Sequence, residues 1–162
     1  MAEGEFALVR EHLEAALGKP GLPPGNFAPA GDHDLYAMLA DVCARQRDLD
    51  GLLKYAPAAE ELATRYGHRL YQAVAHRAWG VAHRLSGDYT QAGARLQQAL
   101  ALFTELGTRW QIGQTRLELG ELAVTVNDVS EARDHFAQAL EAFEALDARP
   151  DAARARAALE AL

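Results

Sequence analysis

Lysine is nearly missing from this chain: Lys19 and Lys54 stand alone, and arginine carries the rest of the positive charge. Cysteine is rarer still. With Cys43 as its single thiol, the chain has no internal disulfide framework and no zinc site built on a cysteine cluster. No apolar run approaches the ~20 residues needed to span a bilayer. The opening stretch MAEGEFALVREHLEAALGK places acidic residues early and has no basic segment followed by an apolar one, so it does not read as a secretory signal. A cationic surplus is also lacking. The formal net charge of -7 argues against general affinity for nucleic acid or anionic lipid. Together these absences lead us to expect a cytoplasmic protein.

What is present fits an ordinary folded chain. The 162 residues are 49% hydrophobic and 24% charged, neither a disordered nor a membrane composition. That length suits one domain with a continuous core or a short array of stacked units.

The sequence favours the array. Laid on a forty-residue ruler, three blocks align without insertion: RDLDGLLKYAPAAEELATRY from Arg47, GDYTQAGARLQQALALFTEL from Gly87, and NDVSEARDHFAQALEAFEAL from Asn127. Asp48, Asp88 and Asp128 share a column, as do Ala59, Ala99 and Ala139, and Leu62, Leu102 and Ala142. Self-similarity at a fixed period marks a solenoid, in which each unit buries its apolar face against its neighbours. Two helices fill each period. Asp88 with Gln91, Asp128 with Glu131, and Thr108 with Gln111 have the spacing of a helix-starting capping box. Apolar residues then recur at helical intervals: Tyr89, Ala92, Leu96, Ala99, Leu100, Phe103 and Leu106 in one block, Val129, Ala132, Phe136, Ala139, Leu140, Phe143 and Leu146 in the next. Pro150 suits the first turn of a further helix. Gly80, Gly120 and Ala40 fall in one column, with Ala92, Ala132 and Leu52 expected to face them. Small residues on both sides let antiparallel helices approach closely.

The pattern resembles the tetratricopeptide repeat. It is carried by Leu119-Gly120, Ala123, Val129, Ala132, Phe136 and Ala139-Leu140 in the third unit, and by Trp79-Gly80, His83, Tyr89, Ala92, Leu96 and Ala99-Leu100 in the second. The first unit is degenerate, with Leu39-Ala40, Cys43, Leu49, Leu52, Ala56 and Ala59. The forty-residue period is similar to the longer-helix variety of kinesin light chains and bacterial regulators. The resemblance implies an all-α fold, a right-handed superhelical array of antiparallel helix hairpins with about eight helices.

The two ends read as half-repeats. GEFALVREHLEAAL overlays GDYTQAGARLQQAL, with Phe6 on Tyr89, Val9 on Ala92, Leu13 on Leu96 and Ala16-Leu17 on Ala99-Leu100. The expected organisation is one tetratricopeptide-like domain over 1–162: a half-repeat helix at 4–18, a Pro/Gly loop at 19–31, repeats at 32–66, 69–106 and 108–146, and a capping helix at 149–162. Asp32 is the expected cap of the helix after the loop. Glu160 occupies the Gly80 and Gly120 column and would block a close second helix there. A half-repeat start is compatible with a complete protein and with a piece of a longer regulator.

The resemblance also implies that the first helix of each hairpin lines a concave groove. Its slots fall on Asp34, Ala37, Met38, Asp41, Ala44 and Arg45, then Val74, Arg77, Ala78, Val81, Arg84 and Leu85, then Gln114, Leu117, Glu118, Glu121, Val124 and Thr125, with Arg154 from the cap. The candidate peptide-binding residues are Asp41, Arg45, Val74, Arg77, Val81, Arg84, Gln114, Leu117 and Glu121. Val74, Arg77, Val81, Arg84 and Leu85 share one helix face, an apolar strip flanked by two guanidinium groups. Arg77 and Arg84 could fork onto a partner's carboxylate or phosphate. Equally, they could pair within the chain to Asp41, Glu118 or Glu121. No Asn stands in these slots, so the Lys/Asn clamp of the chaperone-tail-binding relatives is absent.

Signs of chemistry are few. His76 and His83 share a helix face but stand about 10 Å apart along the axis, so one metal ion could not take both, and interhelix packing is their expected role. His12, His33, His68 and His135 lack ligand spacing. Cys43 shares a column with His83 and Ala123, which predicts a buried small residue. Glu118 and Glu121 are expected on a solvated face. Trp110 is expected to pack on its preceding turn, with a rim contact to a partner as the alternative. No phosphate loop, nucleophilic triad or dinucleotide fingerprint occurs. The expected function is a non-catalytic protein- or peptide-binding scaffold without cofactor or metal. Two alternatives are a regulatory peptide sensor of a bacterial signalling or transcription regulator, and a homodimer module assembled through the N-terminal half-repeat or the capping helix.

Overall fold

The computed structural model describes residues 3–17 and 28–162. Among them are eight helices and no strand: α1 (Glu3–Leu17), α2 (Ala28–Gln46), α3 (Leu49–Arg65), α4 (Arg69–Leu85), α5 (Tyr89–Glu105), α6 (Arg109–Thr125), α7 (Val129–Glu144) and α8 (Arg149–Glu160). From α3 to α6 each helix has 17 residues. Three-residue turns join them, and this is the physical origin of the forty-residue period.

The turns share one device. Arg47, Gly67, Gly87, Gly107, Asn127 and Asp147 each take a positive φ, the left-handed step that commonly ends a helix. The N–H after each then returns to a carbonyl of the finished helix, as Asp88 does to His83 at 2.9 Å. A cap starts the next helix: Asp48, Asp88 and Asp128 accept from the N–H of Gly51, Gln91 and Glu131 at 3.0, 3.1 and 2.9 Å. These orphan donors are satisfied, at Asp88 and Asp128 as their spacing predicts. Thr108 departs from that expectation. Its hydroxyl donates backwards to the Phe103 carbonyl at 3.2 Å, alongside its own N–H at 3.1 Å, rather than accepting from a free donor of α6.

The expected cap at Asp32 is also corrected, because α2 already runs from Ala28. Pro29 falls in its first turn, where a missing N–H forfeits no helical bond. Residues 18–27, the larger part of the Pro/Gly loop, lie outside the described residues.

Alternate helices form two layers. Among the even-numbered helices α2 packs on α4 and α4 touches α6, while each odd-numbered helix packs on its hairpin partners. The even helices are therefore the more crowded, inner side of the array. Between the layers lies the core, in columns read directly off the repeat: Ala59, Ala99 and Ala139, then Ala63, Phe103 and Phe143, are all fully buried. Each buried phenylalanine contributes about 2 kcal/mol or more by area alone.

The close approach at the glycine column is real, but its partner differs from the expected one. A Cβ on Gly80 would lie 2.5 Å from Leu96 Cγ, and one on Gly120 would strike the Phe136 ring. Ala92 contributes only a backbone oxygen, at 3.3 Å from the Gly80 position. Leu96 and Phe136 thus fill the notches that glycine leaves. In the first unit Ala40 and Ala56 occupy those two columns and share one core cluster.

Candidate functional site

The inner face is built from the even helices, and arginine dominates it. Arg77 on α4 is only 3% exposed. It donates to Asp41 of α2 at 2.7 Å and lies 5.1 Å from the Phe103 ring centroid. Arg84, two turns along, donates to Glu121 at 2.8 Å and Glu118 at 3.3 Å, both on α6. Both arginines therefore pair within the chain, with the carboxylates that the sequence offered as alternatives to a ligand. A buried guanidinium needs such partners, since charge removed from water is costly unless matched.

Several sequence-derived candidates lie beneath the face rather than on it. Val81 is 0% exposed and belongs to the first core cluster; Leu117 is equally buried in the second. The two are corrected to core positions. Gln114 is buried as well, and its amide donates to Asp151 of α8 at 2.7 Å. Glu118 is 5% exposed, which overturns its reading as solvated surface. It sits inside a ring of guanidinium groups that offset the loss of water.

The remaining candidates reach the surface. Asp41 and Val74 line a cavity of ≈ 320 Å³ with Ala37, Met38, Leu70, Tyr71 and Gln111. Met38 on its rim is 50% exposed. Burial, with help from Asp34, pushes the Tyr71 hydroxyl up to about 12, so it stays a neutral donor at ordinary pH. Arg45 and Glu121 line a second cavity of ≈ 580 Å³ with Phe6, Arg47, Pro150, Asp151 and Arg154. The two cavities meet where Arg45 donates to Asp41 at 3.1 Å.

Three residues of this region, Arg47, Phe6 and Asp151, were not offered as site residues by the sequence, and Trp110, offered there as the alternative rim contact, joins them. Arg47 places one nitrogen 2.8 and 2.7 Å from the Glu118 oxygens and the other 2.6 and 2.5 Å from those of Glu121. Burial alone would lower its pKa, but the two glutamates outweigh that and raise it. Phe6 and Trp110 flank the Arg45 guanidinium, with ring centroids at 5.7 and 4.5 Å. Asp151 accepts from Trp110 Nε1 at 3.0 Å. Trp110 thus packs towards α8 and Arg45. One signal was available for Arg47: it stands in the turn column that Gly87 and Asn127 occupy, where a long cation is out of place.

The histidines and the thiol take structural roles. His83 stacks on Trp79 at 5.7 Å. His76 meets Arg95 at 2.9 Å and Glu60 at 3.9 Å, so it joins an ion network rather than an aromatic stack. Among the described residues no group of three or more His, Cys, Asp or Glu could hold a metal ion. Cys43 is fully buried, and burial pushes its thiol up to about 11, the opposite of an activated nucleophile. No described helix is long and apolar enough to cross a membrane.

Residues 71–145 match the tetratricopeptide repeat family. No curated protein matches the sequence. Among solved structures, the crystal structure of BtubC (BKLC) from P. vanneervenii is similar, with a TM-score of 0.59 at 20% sequence identity over 98% of this chain and 70% of that one. At that identity the likeness is one of fold.

Proposed function

We propose, from the premise that residues 71–145 are tetratricopeptide repeats, that this chain is a binding module that takes a peptide segment of a protein partner on its inner face. Such repeats in general mediate protein–protein interaction. The observation that carries the finer reading is the cavity between α2 and α4. Its wall is largely apolar, its rim holds a half-exposed methionine, and Asp41 stands at the end nearest the arginines. An apolar side chain of the partner fits this hollow. The unbranched thioether of Met38 adapts to varied shapes, and Asp41 and Arg45 supply polar direction at one end.

Panning a random-peptide phage library on the purified protein, followed by fluorescence titration of the selected peptides, tests this reading. Met38→Glu places a charge on the rim without touching the core. It is expected to weaken binding by ~10-fold or more, about 1.4 kcal/mol, with an unchanged melting temperature. Peptides held equally well by Met38→Glu and the parent protein would place recognition elsewhere.

A further inference from the structure

Arg47 occupies a backbone position that the other repeats give to residues suited to it. Its φ is 57°, and its counterparts forty residues apart are Gly87 at 85° and Asn127 at 62°. Glycine has no Cβ to clash there, and asparagine tolerates the left-handed region better than most residues. Arginine has neither advantage. What it has instead is length.

From the turn between α2 and α3, the Arg47 side chain passes α4 and reaches α6. There its two terminal nitrogens fork onto Glu118 and Glu121, with four contacts between 2.5 and 2.8 Å. These partners are 71 and 74 residues away in sequence, nearly two full periods. A solenoid's units touch their nearest neighbours, so a contact that skips a unit draws the inner edge together. Arg45 reinforces it by stacking on Trp110 of α6. The same Glu121 also accepts from Arg154 of α8 at 3.0 Å.

We infer that Arg47 is a strap across the inner face, holding the first repeat to the third, and that its release opens the groove to a partner. The closure stands on this geometry alone; its consequence for binding rests on the inner-face reading above. The strap is reachable: Arg47 and Glu121 keep 27% and 29% of their side-chain surface exposed at the mouth of the larger cavity. Its loss also leaves its carboxylate partners matched. Without it, Glu118 and Glu121 keep Arg84 at 3.3 and 2.8 Å and Arg154 at 3.9 and 3.0 Å, so no buried carboxylate is stranded.

The test uses the full chain with Cys43→Ala and spin labels at Leu53→Cys on α3 and Gln138→Cys on α7, both exposed positions of the outer layer. Pulsed dipolar spectroscopy then compares Arg47 with Arg47→Gly and Arg47→Asn. Both replacements suit the positive φ, so both should stay folded. The double variant Glu118→Gln/Glu121→Gln removes the strap's anchor while leaving the turn intact. All three are expected to shift the α3–α7 distance longer by roughly 2 Å or more, the scale on which packed helices slide. Distributions that superimpose on the parent's would overturn the strap. Tighter binding of a groove-selected peptide by Arg47→Gly is also expected. An array that opens yet binds no peptide would leave the strap standing and remove the groove reading.

Discussion

At the residue scale the fold turns on pairs of unequal volume. Phe136 is almost fully buried and its ring fills the notch at Gly120, so Gly120→Ala forces the ring to shift inside the core. Overpacking of this kind costs about 1–3 kcal/mol, against roughly 1 kcal/mol regained by removing a mid-helix glycine. The expected net is a loss of up to about 2 kcal/mol by chemical denaturation, and a smaller loss in a Phe136→Leu background. Equal costs in the two backgrounds would contradict the pairing. The histidines make a second residue-scale prediction. Burial first, and then Arg95 and Arg116, lower the pKa values of His76 and His135 below the ordinary 6.5. Each is held neutral in the fold while the unfolded chain takes up protons. The contribution is therefore full above about pH 6.5 and lost as pH falls below it. Melting temperature should drop between about pH 6.5 and 5, and His76→Gln/His135→Gln should flatten that drop. An unchanged profile would show that other groups set it.

At the element scale the repeat columns were legible because burial follows them: the same forty-residue register marks core alanines and phenylalanines in α3, α5 and α7. Cap spacing located three helix starts for the same reason. It failed at α2, where Asp32 looked like a cap but the helix was already under way, since a cap signal fixes where a helix can begin and not where an earlier one does. Helix α1 shows what a column is worth without its partner. Val9 overlays the fully buried Ala92 yet is 38% exposed, because no described helix precedes α1 to complete its hairpin. Its ties are Leu13 and Leu17 on the first core cluster, and hydrogen bonds from Arg10 to Asp48 and from Tyr55 to Glu14. An element with so little buried apolar surface opens at low cost. Amide hydrogen exchange should therefore be faster in α1 than in α4 to α6; equal protection would mean that α1 unfolds only with the whole array.

At the scale of the whole molecule, the inner face was legible as a face but not in its depth. Helical periodicity put Val81 and Leu117 on the same side as Val74, yet a helix packed between two layers has a broad apolar face, and only its rim is free. Asp41, Arg45, Val74 and Glu121 reached the cavities, and Arg77 and Arg84 became internal ties. Long-range reach was the part hidden from sequence. Nothing local announces that Arg47 meets residues two repeats on, or that Phe6 and Asp151, near opposite ends of the described chain, line one cavity. The proposed seat of the partner is the face between α2 and α4. Amide chemical-shift mapping with a library-selected peptide tests that placement. Perturbations are expected to centre on Met38, Asp41, Tyr71 and Val74. Perturbations centred instead on the outer faces of α3, α5 and α7 would contradict it.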